Sequence, residues 1–261
     1  MSSQQYTPYV DVNQILGILH KNAKEILKEQ FIGMYLYGSL STGDFNPKSS
    51  DIDFLVVTES SLPDNTISKL ESMHKKIWDN GLKWAAKLEG AYIPKELIRR
   101  HDPNGHPCPT VNEGRFYVDR HGSDWIIQRH VIREYGVVLE GPDPKSLIDP
   151  VSPEEIRQSV LGILEEWWFP MLENPIWLSE NRGEYHAFAV LSMCRALHAL
   201  QHGTIVSKPI AANWAKDEFR HWSPLIEMAL ASQHDAKNGF LDKTLEFIQF
   251  VKQTTKEWSL L

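Results

Sequence analysis

The chain has 261 residues, enough for one large domain or two modest ones, each able to bury a core. Apolar residues at 42% and charged residues at 23% exclude a disordered chain, and no window reaches the roughly 18 uninterrupted apolar residues of a membrane span. The formal net charge of −7 argues against a nucleic-acid backbone as main partner, because phosphate binding favours a basic surface, and an acidic surface would steer a small cation inward.

Val12, Ile15, Leu16, Leu19, Ala23, Ile26 and Leu27 recur at helical spacing and predict a first amphipathic helix. Asp11 with Gln14 resembles a start of the capping-box type. The N-terminal MSSQQYTPYV has neither a basic start nor an apolar run, and Cys108 and Cys194 lie far apart, so a cytoplasmic location is expected.

An apolar run over 32–37 ends in Gly38-Ser39, a turn-rich loop follows, and Asp51 and Asp53 then open a second apolar run over 54–57. Side chains two apart on a strand share a face, so the two carboxylates project together with Ile52 on the other side. A bare Asp-x-Asp is most simply a pair of solvated acids at a strand entrance. The Gly-Ser changes the weighting, because a glycine lets backbone N–H groups approach a phosphate closely, and paired carboxylates suit Mg²⁺. Strand, Gly-Ser, loop and Asp-x-Asp together read as a metal and triphosphate site.

This pattern, Gly38-Ser39, eleven intervening residues, then Asp51-Ile52-Asp53, resembles the nucleotidyltransferase superfamily. Its members move a nucleoside monophosphate from a triphosphate to a hydroxyl and take a third carboxylate from a later strand. The segment KLEGAYI, 87–93, supplies Glu89. Between them, Ile67, Leu70, Met73, Ile77 and Trp78 predict a second helix, giving the order strand, strand, helix, strand.

Residues 101–112, with three prolines and a glycine, read as loop. His101, His106 and Cys108 match no common zinc spacing. A helix is expected over 124–135, a short extended exit over 137–142, and a Pro-rich linker with a domain boundary near 150. Ser152-Pro153-Glu154-Glu155 is a strong helix start, and everything beyond reads as helix, over about 153–172, 184–202, 208–217, 224–234 and 241–258.

In the helix beginning at Glu184, Arg195 follows the apolar AFAVLSMC, so its stem is expected to be partly buried, with an ion pair to Glu184 or Asp217 the simplest explanation. Cys194, His198 and His202 share one helix face, but the surrounding Leu191, Leu197 and Leu200 favour packing over zinc. The wider stretch LSMCRALHALQHGTIVSKPIAANWA, 191–215, is similar to the aminoglycoside adenylyltransferases that modify streptomycin and spectinomycin.

That resemblance covers nearly the whole chain and implies an α+β fold. A polymerase-beta-like nucleotidyltransferase domain with a mixed sheet, 1–150, precedes an all-α bundle, 151–261, that completes the ATP and acceptor cleft. It implies Mg²⁺ held by Asp51, Asp53 and Glu89, with Glu89 also the catalytic base. Gly38, Ser39 and Ser50 would line the triphosphate, and Arg195 and Lys208 would contact its phosphates. The implied reaction is AMP transfer from ATP to an aminoglycoside or aminocyclitol hydroxyl, by a monomer without membrane or nucleic-acid partner; the alternative is a protein or RNA acceptor.

Acceptor positions depart from the family. Where relatives carry Gly-Glu-Trp this chain has 114–119, GRFYVD, with Tyr117 as the substitute. Where they carry Asp-Glu-Arg-Asn it has 180–185, ENRGEY, leaving Glu184 and Tyr185 as acceptor candidates. The loop between Gly38-Ser39 and Asp51 is one residue longer.

Overall fold

A computed structural model describes residues 5–48, 50–180, 183–232 and 239–258. The chain divides into two compact units, 1–150 and 151–261.

In the first unit, α1 (Val10–Leu27) leads into β1 (Phe31–Leu36), the four-residue α2 (Ser39–Thr42) and β2 (Ile52–Thr58). Helix α3 (Asp64–Asp79) then crosses to β3 (Leu88–Pro94), which runs straight into α4 (Lys95–Arg99). The hairpin β4 (Cys108–Asn112) and β5 (Arg115–Asp119) follows, then α5 (Asp124–Tyr135), β6 (Val137–Glu140) and α6 (Pro144–Leu147). The six strands form one mixed sheet in the order β5-β4-β3-β2-β1-β6. Only β2 and β3 pair in parallel, and a parallel pair needs a crossover of the length that α3 provides.

Alternation along the strands separates two faces. Leu36, Phe54, Val56, Leu88 and Tyr92 point to one side and are buried against the apolar stripes of α1 and α3 in a single core. Asp53 and Glu89 belong to the other face. The start of α1 differs from the capping-box expectation. Its N-cap is Tyr9, without a side-chain cap, and Asp11 instead meets Lys83 at 2.9 Å.

The loop expected over 101–112 ends five residues early, because 108–112 is a strand. Pro109 is tolerated near the start of β4, ahead of the two residues, Thr110 and Val111, that pair with β3. The hairpin turn is Glu113-Gly114, both at positive φ, 47° and 70°, as a tight two-residue turn requires.

The second unit contains α7 (Pro153–Ile163), α8 (Ile176–Glu180), α9 (Glu184–His202), α10 (Lys208–Glu218), α11 (Ser223–Ser232) and α12 (Leu241–Trp258). Ser152 caps α7 in a reciprocal capping box with Glu155. The helical path continues through a π turn at 164–168 and a 3₁₀ turn at 169–172, where Pro170 removes a backbone donor. Helix α9 is central: it packs against α7, α10, α11 and α12, and Ala187, Val190, Leu191, Met193, Cys194 and Leu197 are all buried. The predicted helix over 224–234 is α11, with 233 and 234 outside the described residues.

Candidate active site

The site starts from strand register. Asp53 and Glu89 are direct partners on the parallel strands β2 and β3, so their side chains leave the sheet side by side. Asp51 lies just before β2, two residues from Asp53. Two carboxylates in adjacent register repel, and burial removes the water that would screen them. Glu89 shows the result: burial first, then the charges of Asp51, Asp53 and Glu113, push its carboxyl from 4.5 up to about 8, with Lys87 opposing.

Gly38 explains the Gly-Ser. At φ 61°, ψ −142°, it occupies a conformation that side chains disfavour, and a Cβ there would lie 2.0 Å from Asp53 Oδ2. The glycine thus makes room for the Asp53 carboxylate while the Tyr37 amide donates to the Asp53 carbonyl at 3.1 Å. Ser39 opens α2. Ser50 acts on the loop itself: its Oγ accepts the Asn46 amide at 2.9 Å, and its own amide donates to the Asn46 carbonyl at 2.9 Å. These two bonds tie Ser50 to Asn46 immediately ahead of Asp51; Ser49 lies outside the described residues.

Four further groups belong to the site and carried no role in the sequence reading. Lys87 Nζ meets Asp51 Oδ1 at 2.9 Å, so a cation already stands at this acid. Glu113, on the hairpin turn, adds its charge to that acting on Glu89. Tyr37 is buried, and burial together with Asp53, Glu89 and Asp124 holds its hydroxyl well above the usual tyrosine range. Asp124, at the start of α5, acts on both Tyr37 and Tyr117. Glu113 and Asp124 are brought in by a turn and a helix start distant in sequence, while Lys87 and Tyr37 stand beside Glu89 and Gly38 in the chain without a pattern that announces a role.

Tyr117 is half-exposed on β5, opposite Thr110, which in turn pairs with Ala91, two residues beyond Glu89. Burial raises its hydroxyl, a hydrogen bond with Asn112 opposes this, and Asp119, Glu89 and Asp124 add to the rise.

Among the described residues no three His, Cys, Asp or Glu side chains are gathered as a ready metal-ligand set. Asp51 faces Lys87, and the pair in register is Asp53 and Glu89. The chemistry of the donors nevertheless suits a hard cation, since all are carboxylate oxygens.

In the second unit Arg195 is half-buried on α9, and Lys208 is the first residue of α10 with its Nζ 3.9 Å from the centre of the Phe188 ring. Tyr185 lies at the start of α9 and packs edge-on against Trp177 at 5.0 Å. Asn181, Arg182 and the side chain of Glu184 lie outside the described residues.

Residues 20–107 match the nucleotidyltransferase domain family, and the chain is a nucleotidyltransferase. Residues 146–257 match the family described as aminoglycoside adenylyltransferase, C-terminal domain. The chain therefore belongs to the aminoglycoside adenylyltransferase family of the nucleotidyltransferase superfamily. A spectinomycin 9-adenylyltransferase from Enterococcus faecalis is 24% identical over 220 residues, 78% of each chain. One from Campylobacter jejuni is 25% identical over 264 residues, covering 94% of this chain and 95% of the relative. The crystal structure of an E. faecalis spectinomycin adenyltransferase with ATP and spectinomycin has the same fold, with a TM-score of 0.68 at 21% identity over 91% of this chain and 98% of that one.

Proposed function

We propose that the chain transfers AMP from ATP to a hydroxyl of an aminocyclitol or aminoglycoside, with spectinomycin the first acceptor to test. The observation that carries this reading is the register pairing of Asp53 with Glu89 beside Gly38, in a chain whose two halves match the two domains of this enzyme family. The names of the relatives supply the acceptor.

Glu89 takes the proton of the attacking hydroxyl, a role that requires hydrogen-bond reach and an ionised carboxylate at the working pH. Gly38 and Ser39 leave the backbone open to the phosphates, and the clamp between Ser50 and Asn46 holds the loop that delivers Asp51. Arg195 and Lys208 stabilise the pyrophosphate as it leaves, Arg through a forked donor and Lys as a point charge. Asp51, Asp53 and Glu89 would hold Mg²⁺, which would supply charge neutralisation to the phosphates. Lys87 Nζ, 2.9 Å from Asp51 Oδ1, places a compensating cation at this acid. Tyr117, Glu184 and Tyr185 are the acceptor candidates.

The test is mass analysis of products after incubation with ATP, Mg²⁺ and each of spectinomycin, streptomycin and a protein lysate. An antibiotic heavier by one AMP establishes the reaction. Labelling of a protein with both drugs unmodified would replace the drug by a macromolecular acceptor.

A further inference from the structure

We propose that Phe188 is a positioning residue for the triphosphate, its ring face holding the Lys208 ammonium in place before ATP binds. The proposal rests on the reading of Lys208 as a phosphate ligand. Lys208 Nζ stands 3.9 Å from the ring centre, well inside the distance of about 6 Å at which a ring face attracts a cation. Phe188 is 41% exposed on a helix whose neighbouring Ala187 and Ala189 are fully buried, so the ring is not spent in the core. Trp168, buried and tilted 35° to it at 5.8 Å, backs the ring and fixes its plane.

The chain path brings the two residues together. Helix α9 ends at Gly203 in a left-handed conformation, and 204–207 then runs back along it. Lys208 consequently meets Phe188 near the start of α9, while Trp214, further along α10, meets His198 and His202 near its end. Phe188 and Arg195 are seven residues apart, close to two turns, so they lie on one stripe of α9 separated by about 10 Å along its axis. One stripe thus carries the ring that orients one candidate phosphate cation and, two turns on, the second.

A lysine ammonium is a point charge on a flexible four-carbon stem, and orienting it in advance reduces the freedom lost on binding. A ring face does this from one side, through a contact that no phosphate oxygen replaces.

The experiment compares KM for ATP, kcat and inhibition by adenosine, which lacks phosphates, in the wild type, Phe188→Leu, Phe188→Tyr, Lys208→Met and the double variant Phe188→Leu/Lys208→Met. Phe188→Leu is expected to raise KM for ATP about two- to five-fold, with a smaller change in kcat and none in adenosine inhibition. Phe188→Tyr, which keeps the ring, should match the wild type, and Phe188→Leu should add nothing in the Lys208→Met background. A wild-type KM in Phe188→Leu alongside a raised one in Lys208→Met overturns the role of Phe188 and leaves Lys208 standing. So does a Phe188→Leu effect that persists without the lysine. An unchanged KM in Lys208→Met removes the reading of Lys208 and this proposal with it.

Discussion

Glu89, the proposed base, also carries the electrostatic strain of the site. Its carboxyl is raised from 4.5 to about 8, so between these values the folded protein holds a proton that the unfolded chain releases. The stability contributed by this group is therefore present below about pH 4.5 and is lost as pH rises toward 8. In metal-free buffer, Glu89→Gln should unfold at a higher temperature than the wild type at about pH 9, by an amount corresponding to roughly 1–4 kcal/mol, and the difference should vanish near pH 4.5. Equal melting temperatures across that range would show that Glu89 ionises freely. Gly38 makes a second claim at this scale. Gly38→Ala forces a Cβ to within 2.0 Å of Asp53 Oδ2 in a backbone conformation that alanine disfavours. It should cost about 1–3 kcal/mol by denaturant titration and abolish most activity. Local spacing in the sequence singles out Gly38, Asp51 and Asp53, and resemblance to the superfamily adds Glu89. The sequence hides Glu113 and Asp124, because their approach depends on how separate elements meet, and Lys87 and Tyr37, because no local pattern announces them.

At the scale of elements, apolar periodicity made α1, α3, α9 and the strands β1, β2 and β3 legible, since each has a long buried stripe or run to declare it. The hairpin of β4 and β5 escaped notice for the opposite reason. Its pairing with β3 spans only two residues, Pro109 sits inside it, and β5 is largely exposed, so neither alternation nor burial marks it. Yet this hairpin brings Glu113 and Tyr117 toward Glu89. The start of α7 is the converse case, since Ser152-Pro153-Glu154-Glu155 declares a capping box that the structure contains. Ser152→Ala should lower stability by about 1 kcal/mol in thermal unfolding and leave kcat unchanged. A loss of kcat without loss of stability would mean that this helix start takes part in the reaction.

For the whole molecule, the net charge of −7 and the cationic nature of aminocyclitols make acceptor capture sensitive to salt. Raising ionic strength from about 0.01 M to 0.15 M shortens the screening length from about 30 Å to 8 Å, so kcat/KM for spectinomycin should fall several-fold while that for a neutral acceptor analogue should not. Salt-independent kcat/KM would place recognition in contact geometry alone. The division into a sheet unit and a helical unit was legible from composition and from the Pro-rich linker. The roles of Arg195 and Lys208 came only from resemblance, because a half-buried arginine and an N-terminal lysine have ordinary structural uses as well. The measurement that tests the account most directly is Mg²⁺-dependent pyrophosphate release from ATP with spectinomycin, run beside Glu89→Gln. Release in the wild type that depends on the drug and falls by at least about a hundred-fold in Glu89→Gln is the predicted result. Drug-dependent release that survives Glu89→Gln unchanged would contradict the central claim that this carboxylate is the base.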